Sequence, residues 1–227
     1  MIRSRFVRSS VLALSAFVAL SCSDYSPTAP PAASTVAQVQ VQPSNDLLGG
    51  LLGGVVGTVT GLLGTVLKVI GFQYDPNGIA VNAVKWTPAH VNEVRSVSGV
   101  IGYNGGTLTI PGSDFTITFP KGALSTYTPI KIVSDGNGYV SYDMQPHGLK
   151  FAVPVIVTQR LNNTSVYGTP KAWNAFGAYF PQDPNLLSGL LKALEIETTT
   201  IFAGPSGQPE IEAWQLRHFS RYMLSSG

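Results

Sequence analysis

Gly106-Thr107-Leu108-Thr109-Ile110 and, just after it, Phe115-Thr116-Ile117-Thr118-Phe119 alternate without a break between threonine and a large apolar side chain. Successive side chains of a strand point to opposite faces, so this period of two marks half-buried strands with Leu, Ile and Phe turned inward. The same alternation recurs at Ile130-Lys-Ile-Val133, Tyr139-Val-Ser-Tyr142 and Val155-Ile-Val-Thr158, and further strand-like runs cover 172–180, 195–202 and 211–224. Asn77-Gly78 and Asp135-Gly136-Asn137-Gly138 are tight-turn sequences between such runs. About eight to ten short strands separated by Gly and Pro turns predict an all-β fold, an antiparallel β-sandwich, over residues 74–227. One short helix is expected from Asp183: Asp183 as its cap, Pro184 in its first turn, and Leu186, Leu187, Leu190, Leu191 and Leu194 as its apolar face.

Composition narrows the function. Aromatic residues make up 10% of the 227, enough for a packed core, while charged residues are only 11%, well below the roughly 25% of ordinary soluble domains. A single cysteine excludes a disulfide framework, a CxxC pair and a Cys-rich zinc site. The formal charge of +2 depends on Arg3, Arg5 and Arg8; without them 11 basic residues face 12 acidic ones. A binder that relies on neutralising nucleic-acid phosphates is therefore not expected.

Those three arginines precede an apolar run, Val11-Leu-Ala-Leu-Ser-Ala-Phe-Val-Ala-Leu20. A basic stretch followed by about ten apolar residues reads as a secretory signal, too short for the ~20 residues of a membrane-spanning helix. Ala19-Leu20-Ser21-Cys22 then resembles the bacterial lipobox. That resemblance implies a signal peptide of residues 1–21, cleavage before Cys22, and covalent lipid on the Cys22 thiol and its new amine. Several acyl chains, at about 0.8 kcal/mol per buried methylene, would hold the protein permanently on a membrane. Ser23, not Asp, follows the anchor; by resemblance to proteobacterial sorting, this favours the outer membrane, facing periplasm or exterior.

Residues 22–45 are rich in Pro, Ala, Ser, Thr and Gln and read as a tether that buries too little apolar surface to fold. Residues 46–73 form a different kind of segment. From Leu47 to Leu67 there is no charge, only Leu, Val, Gly and Thr, with Gly49, Gly53, Gly57 and Gly61 spaced by four. On a helix that spacing makes a smooth stripe for close packing, a glycine zipper. Seven glycines oppose a stable helix in water, at ~1 kcal/mol each relative to Ala. Three readings stand open: a helix in or on a membrane or packed against a partner, a partly helical apolar linker, and a segment packed on this chain's own β-domain.

Further likenesses lie inside the β-domain. Gly105-Gly106-Thr107-Leu108, Phe119-Pro120-Lys121-Gly122-Ala123-Leu124, Pro146-His147-Gly148-Leu149-Lys150-Phe151 and Val153-Pro154-Val155 stand in the order and spacing of a ZU-five domain. The resemblance covers about residues 96–161 and implies a β-sandwich that binds partners or holds neighbouring domains, without small-molecule catalysis.

The chemistry-bearing residues are sparse. His90, His147 and His218 lie far apart, and no HExxH, GxSxG or phosphate-binding loop occurs. Asp135-Gly-Asn137-Gly opens like a calcium loop, but Pro146 stands where the twelfth-position Glu is required. No metal or cofactor is expected beyond the lipid on Cys22. Glu195, Glu197, Glu210 and Glu212 read as one solvated acidic edge, and Trp86, Trp173 and Trp214 read as core rather than as a sugar platform. His218-Phe219-Ser220 matches the tripeptide at which some ZU-five-containing proteins cleave themselves. By that resemblance Ser220 is the nucleophile, His218 the base and Phe219–Ser220 the scissile bond. The alternative makes them ordinary residues of one closing strand, His218 and Ser220 sharing a face with Trp214, Leu216 and Tyr222. The expectation is thus a lipid-anchored envelope protein serving as a non-catalytic binding or structural module for another membrane or envelope protein, with single-turnover self-cleavage as the alternative.

Overall fold

The computed structural model describes residues 64–90, 94–134, 136–181 and 191–227. Thirteen strands occur among them: β1 (Val66–Ile70), β2 (Gln73–Ala83), β3 (Arg95–Ile101), β4 (Gly106–Ile110), β5 (Phe115–Phe119), β6 (Thr128–Ser134), β7 (Ser141–Gln145), β8 (Lys150–Arg160), β9 (Ala175–Tyr179), β10 (Leu191–Ile196), β11 (Thr199–Ala203), β12 (Pro209–His218) and β13 (Arg221–Ser226). A five-residue 3-10 turn, Pro170–Asn174, leads into β9. No helix among the described residues is long and apolar enough to cross a membrane.

The strands form two antiparallel sheets, the sandwich that the alternation predicts. One runs β1-β11-β12-β8-β5-β4, the other β2-β10-β9-β13-β7-β6-β3. Directly opposed residues of an antiparallel pair point to the same face. The pairings Ile117↔Val157 and Val157↔Trp214 therefore line up the inward residues of β5, β8 and β12. The pairs Thr107↔Thr118 and Thr109↔Thr116 stand on the opposite face, their hydroxyls hydrogen-bonded at 3.4 and 3.0 Å. Between the sheets lies the main core, in which Phe115, Ile117, Val157, Trp214 and Leu216 meet Ile130, Ile132, Tyr142, Met144, Tyr222 and Leu224. In the seven-stranded sheet β2 bonds to β13 as well as β10, so that end curls back, and Val81, Phe176, Ala178, Leu191 and Met223 form a second cluster there.

Several expectations are corrected. The helix proposed from Asp183 falls mostly on residues outside those described, but Leu191 and Leu194, assigned to its apolar face, lie in strand β10. Asn77-Gly78 does not reverse the chain: β2 runs through it, and the register against β10 shifts opposite this point. Gly78 there has φ +86°, and a Cβ would lie 2.8 Å from Cβ of Lys192. The runs read as 195–202 and 211–224 are each two strands in different sheets, breaking at Glu197-Thr198 and at Phe219-Ser220. The sandwich also begins before residue 74, because β1 pairs with β11.

Gly177 illustrates the fit between the sheets. It sits on β9 opposite Leu224, and a Cβ on it would lie 2.5 Å from Cγ of the fully buried Trp214. The indole lies against bare backbone, and a rigid ring in a close-packed core cannot yield cheaply. Gly177→Ala is expected to lower unfolding free energy by about 1–3 kcal/mol, measured by urea denaturation with Trp214 fluorescence shifted in the native baseline. Wild-type stability in that variant would refute the close contact.

Candidate functional site

The His218-Phe219-Ser220 tripeptide and the glycine and proline motifs meet at one end of the sandwich, where the chain leaves the six-stranded sheet after β12 and enters the seven-stranded sheet at β13. Phe219 makes this crossing. Its ring is fully buried and meets Phe119 and Phe151 edge-on at 5.9 and 4.9 Å between centroids, an arrangement that suits the opposed charge of ring face and edge. Its backbone is held on both sides: its N–H donates to the Leu149 carbonyl at 2.8 Å, and its carbonyl accepts from Gly148 N–H at 2.8 Å. The Ser220 carbonyl accepts from Met144 N–H at 3.0 Å.

The glycine and proline motifs surround the same place. Gly105 has φ +76°, and a Cβ there would stand 2.1 Å from the Phe119 carbonyl oxygen. Gly122 N–H donates to the Tyr103 carbonyl and Ala152 N–H to that of Ala123. Gly148, at φ +76°, follows a turn with a cis Gln145–Pro146 peptide. Four motifs separate in sequence thus pack around one crossing.

His218 is half-buried beside it. Its Nε2 lies 3.2 Å from Oε2 of Glu195, its ring meets Tyr179 edge-on at 5.2 Å, and the Tyr222 hydroxyl donates to its backbone carbonyl at 3.0 Å. The hydrogen bond that the His218 ring donates to Glu195 holds His218 above its ordinary pKa, and the same bond lowers that of Glu195. Glu197 next to it is buried, and burial followed by the Glu195 charge pushes its pKa well up. Burial likewise raises the Tyr222 hydroxyl. A register shift between Leu216 and His218, followed by the crossing, ends the simple alternation expected through Tyr222. Among the described residues no hydrogen bond joins the Ser220 hydroxyl to His218.

The remaining candidates are dispersed. His147 pairs with Asp143 at 2.8 Å, and Asp143 also meets Arg221 at 3.6 Å. His90 stacks on Trp86 and bonds Thr87. The acidic edge is corrected by the structure. Glu210 pairs with Arg160 at 2.8 Å, but Glu197 and Glu212 are buried. Glu212 is fully enclosed with both oxygens unpartnered, and burial alone raises its pKa far above the usual range. Sequence parity could have found it, because Glu212 falls on the face of Trp214 and Leu216. Trp86 and Trp214 are core, and only Trp173 among the described indoles is exposed. No group of three His, Cys, Asp or Glu side chains among the described residues could hold a metal ion. Cys22, Gly49, Gly53, Gly57 and Gly61 lie outside the described residues.

The fold and this end of it define an antiparallel β-sandwich in which one of the crossings between sheets, from β12 to β13, runs through a buried, doubly hydrogen-bonded phenylalanine. The chain matches no protein-family model and no curated protein.

The displaced titrations set a pH dependence. Glu197 and Glu212 stand above 4.5 and His218 above 6.5, so each contributes stability at low pH that is lost as pH rises through its folded value. Glu195 stands below 4.5 and contributes above that pH, losing it as pH falls further. Unfolding temperature is therefore expected to fall from about pH 5 to pH 8. Glu212→Gln should flatten part of that slope. A profile that rises over this window would contradict the buried carboxyls.

Proposed function

We propose that the chain is a lipid-anchored envelope protein whose β-sandwich serves as a non-catalytic binding or structural module for another membrane or envelope protein. The observation that carries the binding part is an exposed apolar patch at the β3 edge of the seven-stranded sheet. Val100, Tyr103 and Tyr127 are 64%, 57% and 82% exposed. Tyr127 lies over Gly102, and Lys121 stands above the Tyr103 ring. An open groove of about 540 Å³ continues the patch between Val100, Pro129, Lys131 and Pro146. Rigid tyrosines beside an unpaired strand edge are well suited to protein contacts. Lys121 and Lys131 favour a partner with an apolar projection flanked by carboxylates. The convergence of the turn motifs on Phe219 supports the ZU-five likeness, in which such modules bind partners. The lipobox at Cys22 supports the anchor.

Two changes test this reading separately. Cys22→Ala should move the protein from membrane to soluble fractions; unchanged partition would remove the anchor. Tyr103→Ser with Tyr127→Ser should abolish co-purification of envelope proteins from gently solubilised membranes, since two such anchors commonly carry about 2 kcal/mol or more of binding. The same partners recovered at wild-type yield would remove the patch.

One observation favours self-cleavage as a second reading. Gly148 N–H already donates to the Phe219 carbonyl, the group Ser220 would attack, and so stands ready for the negative charge that develops there. Ser220 Oγ would form a bond to that carbon, the amide would shift to an ester with release of the Ser220 amine, and water would hydrolyse the ester. Against it, Glu195 favours protonated His218, which cannot then accept the hydroxyl proton. Because β13 lies between β9 and β7, a released peptide from Ser220 onward would stay bound in the sheet. The cut must therefore be sought by mass under denaturing conditions. A single full-length species refutes it, and a shortened species abolished by Ser220→Ala supports it.

A further inference from the structure

The outer face of the six-stranded sheet, turned away from the core, is not uniform. At its edges it is open: Val66 and Val69 on β1 are 38% and 53% exposed, and Thr107, Thr109 and Thr118 on β4 and β5 are exposed. Across its middle it is closed. Phe202 and Thr200 on β11, Ala213 on β12 and Ile156 on β8 are all buried, Phe202 to 1%. The register confirms that these residues share the outer face, because Thr200 opposes Ala213, Phe202 opposes Ile211, and Ile156 opposes Gln215. They form an apolar cluster of their own, to which Ile211 is the one described addition. The other sheet lies on the far side and cannot cover them. A phenylalanine on the outside of a sheet stays dry only beneath a covering element.

We propose that the glycine-spaced apolar segment, residues 47–63, is that element, packed over β11, β12 and β8. Three features of the chain support this occupant. First, the segment ends where the cluster begins: the Thr65 carbonyl accepts from Ala203 N–H at 2.8 Å, and Val66 is paired with Phe202. Second, Gly64 has φ +105°, a turning conformation immediately before β1, so the preceding chain need not continue along the edge strand. Third, reach and width agree. The closed strip spans three strands, about 10 Å at ~4.8 Å spacing, matching the ~10–12 Å diameter of a helix or two extended strands. About 17 residues reach ~25 Å as a helix and more if extended.

The composition suits this place. Leu and Val supply apolar surface without a charge to desolvate, and Gly49, Gly53, Gly57 and Gly61 permit close approach over a sheet that already presents Ile and Phe. Burial against the sheet also accounts for an uncharged, glycine-rich sequence that a water-exposed helix could not sustain. The segment is then part of the sandwich, a strap over one face, and the lipid on Cys22 with its tether is left to do the membrane attachment.

Photo-cross-linking of the full-length chain tests the placement. p-Benzoylphenylalanine replaces Ile156 and, in a second protein that disturbs the cluster less, the half-exposed Gln215 opposite it. A third protein carries it at Thr107 as the exposed control on the same face. Adducts from positions 156 and 215 should map to residues 47–63 of the same chain, with yields about tenfold above position 107, since such adducts require side-chain contact. Mixing isotopically heavy and light protein identifies the chain of origin. Gly53→Leu with Gly57→Leu should cut the yield severalfold while the sandwich stays folded by near-ultraviolet circular dichroism. Heavy–light adducts would assign the face to a second copy, adducts with detergent or lipid would assign it to a membrane, and equal yields at all three positions would leave it uncovered. Each of these three results overturns the proposal.

Discussion

At one of the places where the chain passes from sheet to sheet, a single residue is held on all sides. Phe219 lies between β12, flanked by β11 and β8, and β13, flanked by β9 and β7. Its ring is locked against Phe119 and Phe151, and its two backbone groups are bonded to Gly148 and Leu149. A peptide buried at a crossing has no ladder of its own, so both polar groups must find partners elsewhere. The turn at Pro146-His147-Gly148 supplies one and Leu149 the other. This explains why glycine and proline motifs far apart in sequence assemble at the same end.

Polar groups inside the sandwich divide into satisfied and unsatisfied sets. The Tyr142 hydroxyl donates to Gln159, whose amide donates to the Ser113 and Arg160 carbonyls, so a buried network spans the core between the sheets. Glu212, paired across the ladder with that same Gln159, has no partner for its carboxyl oxygens. Burial of an unpaired carboxyl favours its neutral form. His218 with Glu195 follows the opposite logic, in which a hydrogen bond favours the charged forms of both. Mild acidity thus suits the interior and the crossing together.

The architecture separates three features of the surface and the crossing. The tyrosine patch belongs to the β3 edge, the His218 cluster to the crossing, and the dry apolar strip to the outer face of the other sheet. Two residues of the His-Phe-Ser tripeptide have structural roles, Phe219 as a core anchor and His218 as the partner of Glu195. The hydrogen bond from Gly148 satisfies a carbonyl that is buried with Phe219.

Period-two alternation was enough to find β4 and β5 to the residue, the middle of β6, four residues of β8, and the all-β sandwich. Alternation reports which side chains share a face, a local property of an extended chain. It does not report to which sheet a strand belongs, which depends on pairing between distant segments. Hence 195–202 and 211–224 read as single strands although each changes sheet midway. Leu191 and Leu194 carried a helical spacing that was overridden once β2 and β9 offered backbone partners on either side of β10. Asn77-Gly78 has turn chemistry, yet the register shift against β10 uses it as an irregularity within a strand. Glu212 was visible by parity but was grouped with its acidic neighbours, whose hairpin contains both inward and outward positions. The amino-acid sequence by itself determined the all-β class and the alternating strands β4 and β5 with their inward faces, because these follow from local stereochemistry and hydrophobic pattern. The tertiary structure alone decided sheet membership, the crossing at Phe219 and the burial of Glu197 and Glu212, because each arises from contacts between residues remote in the chain.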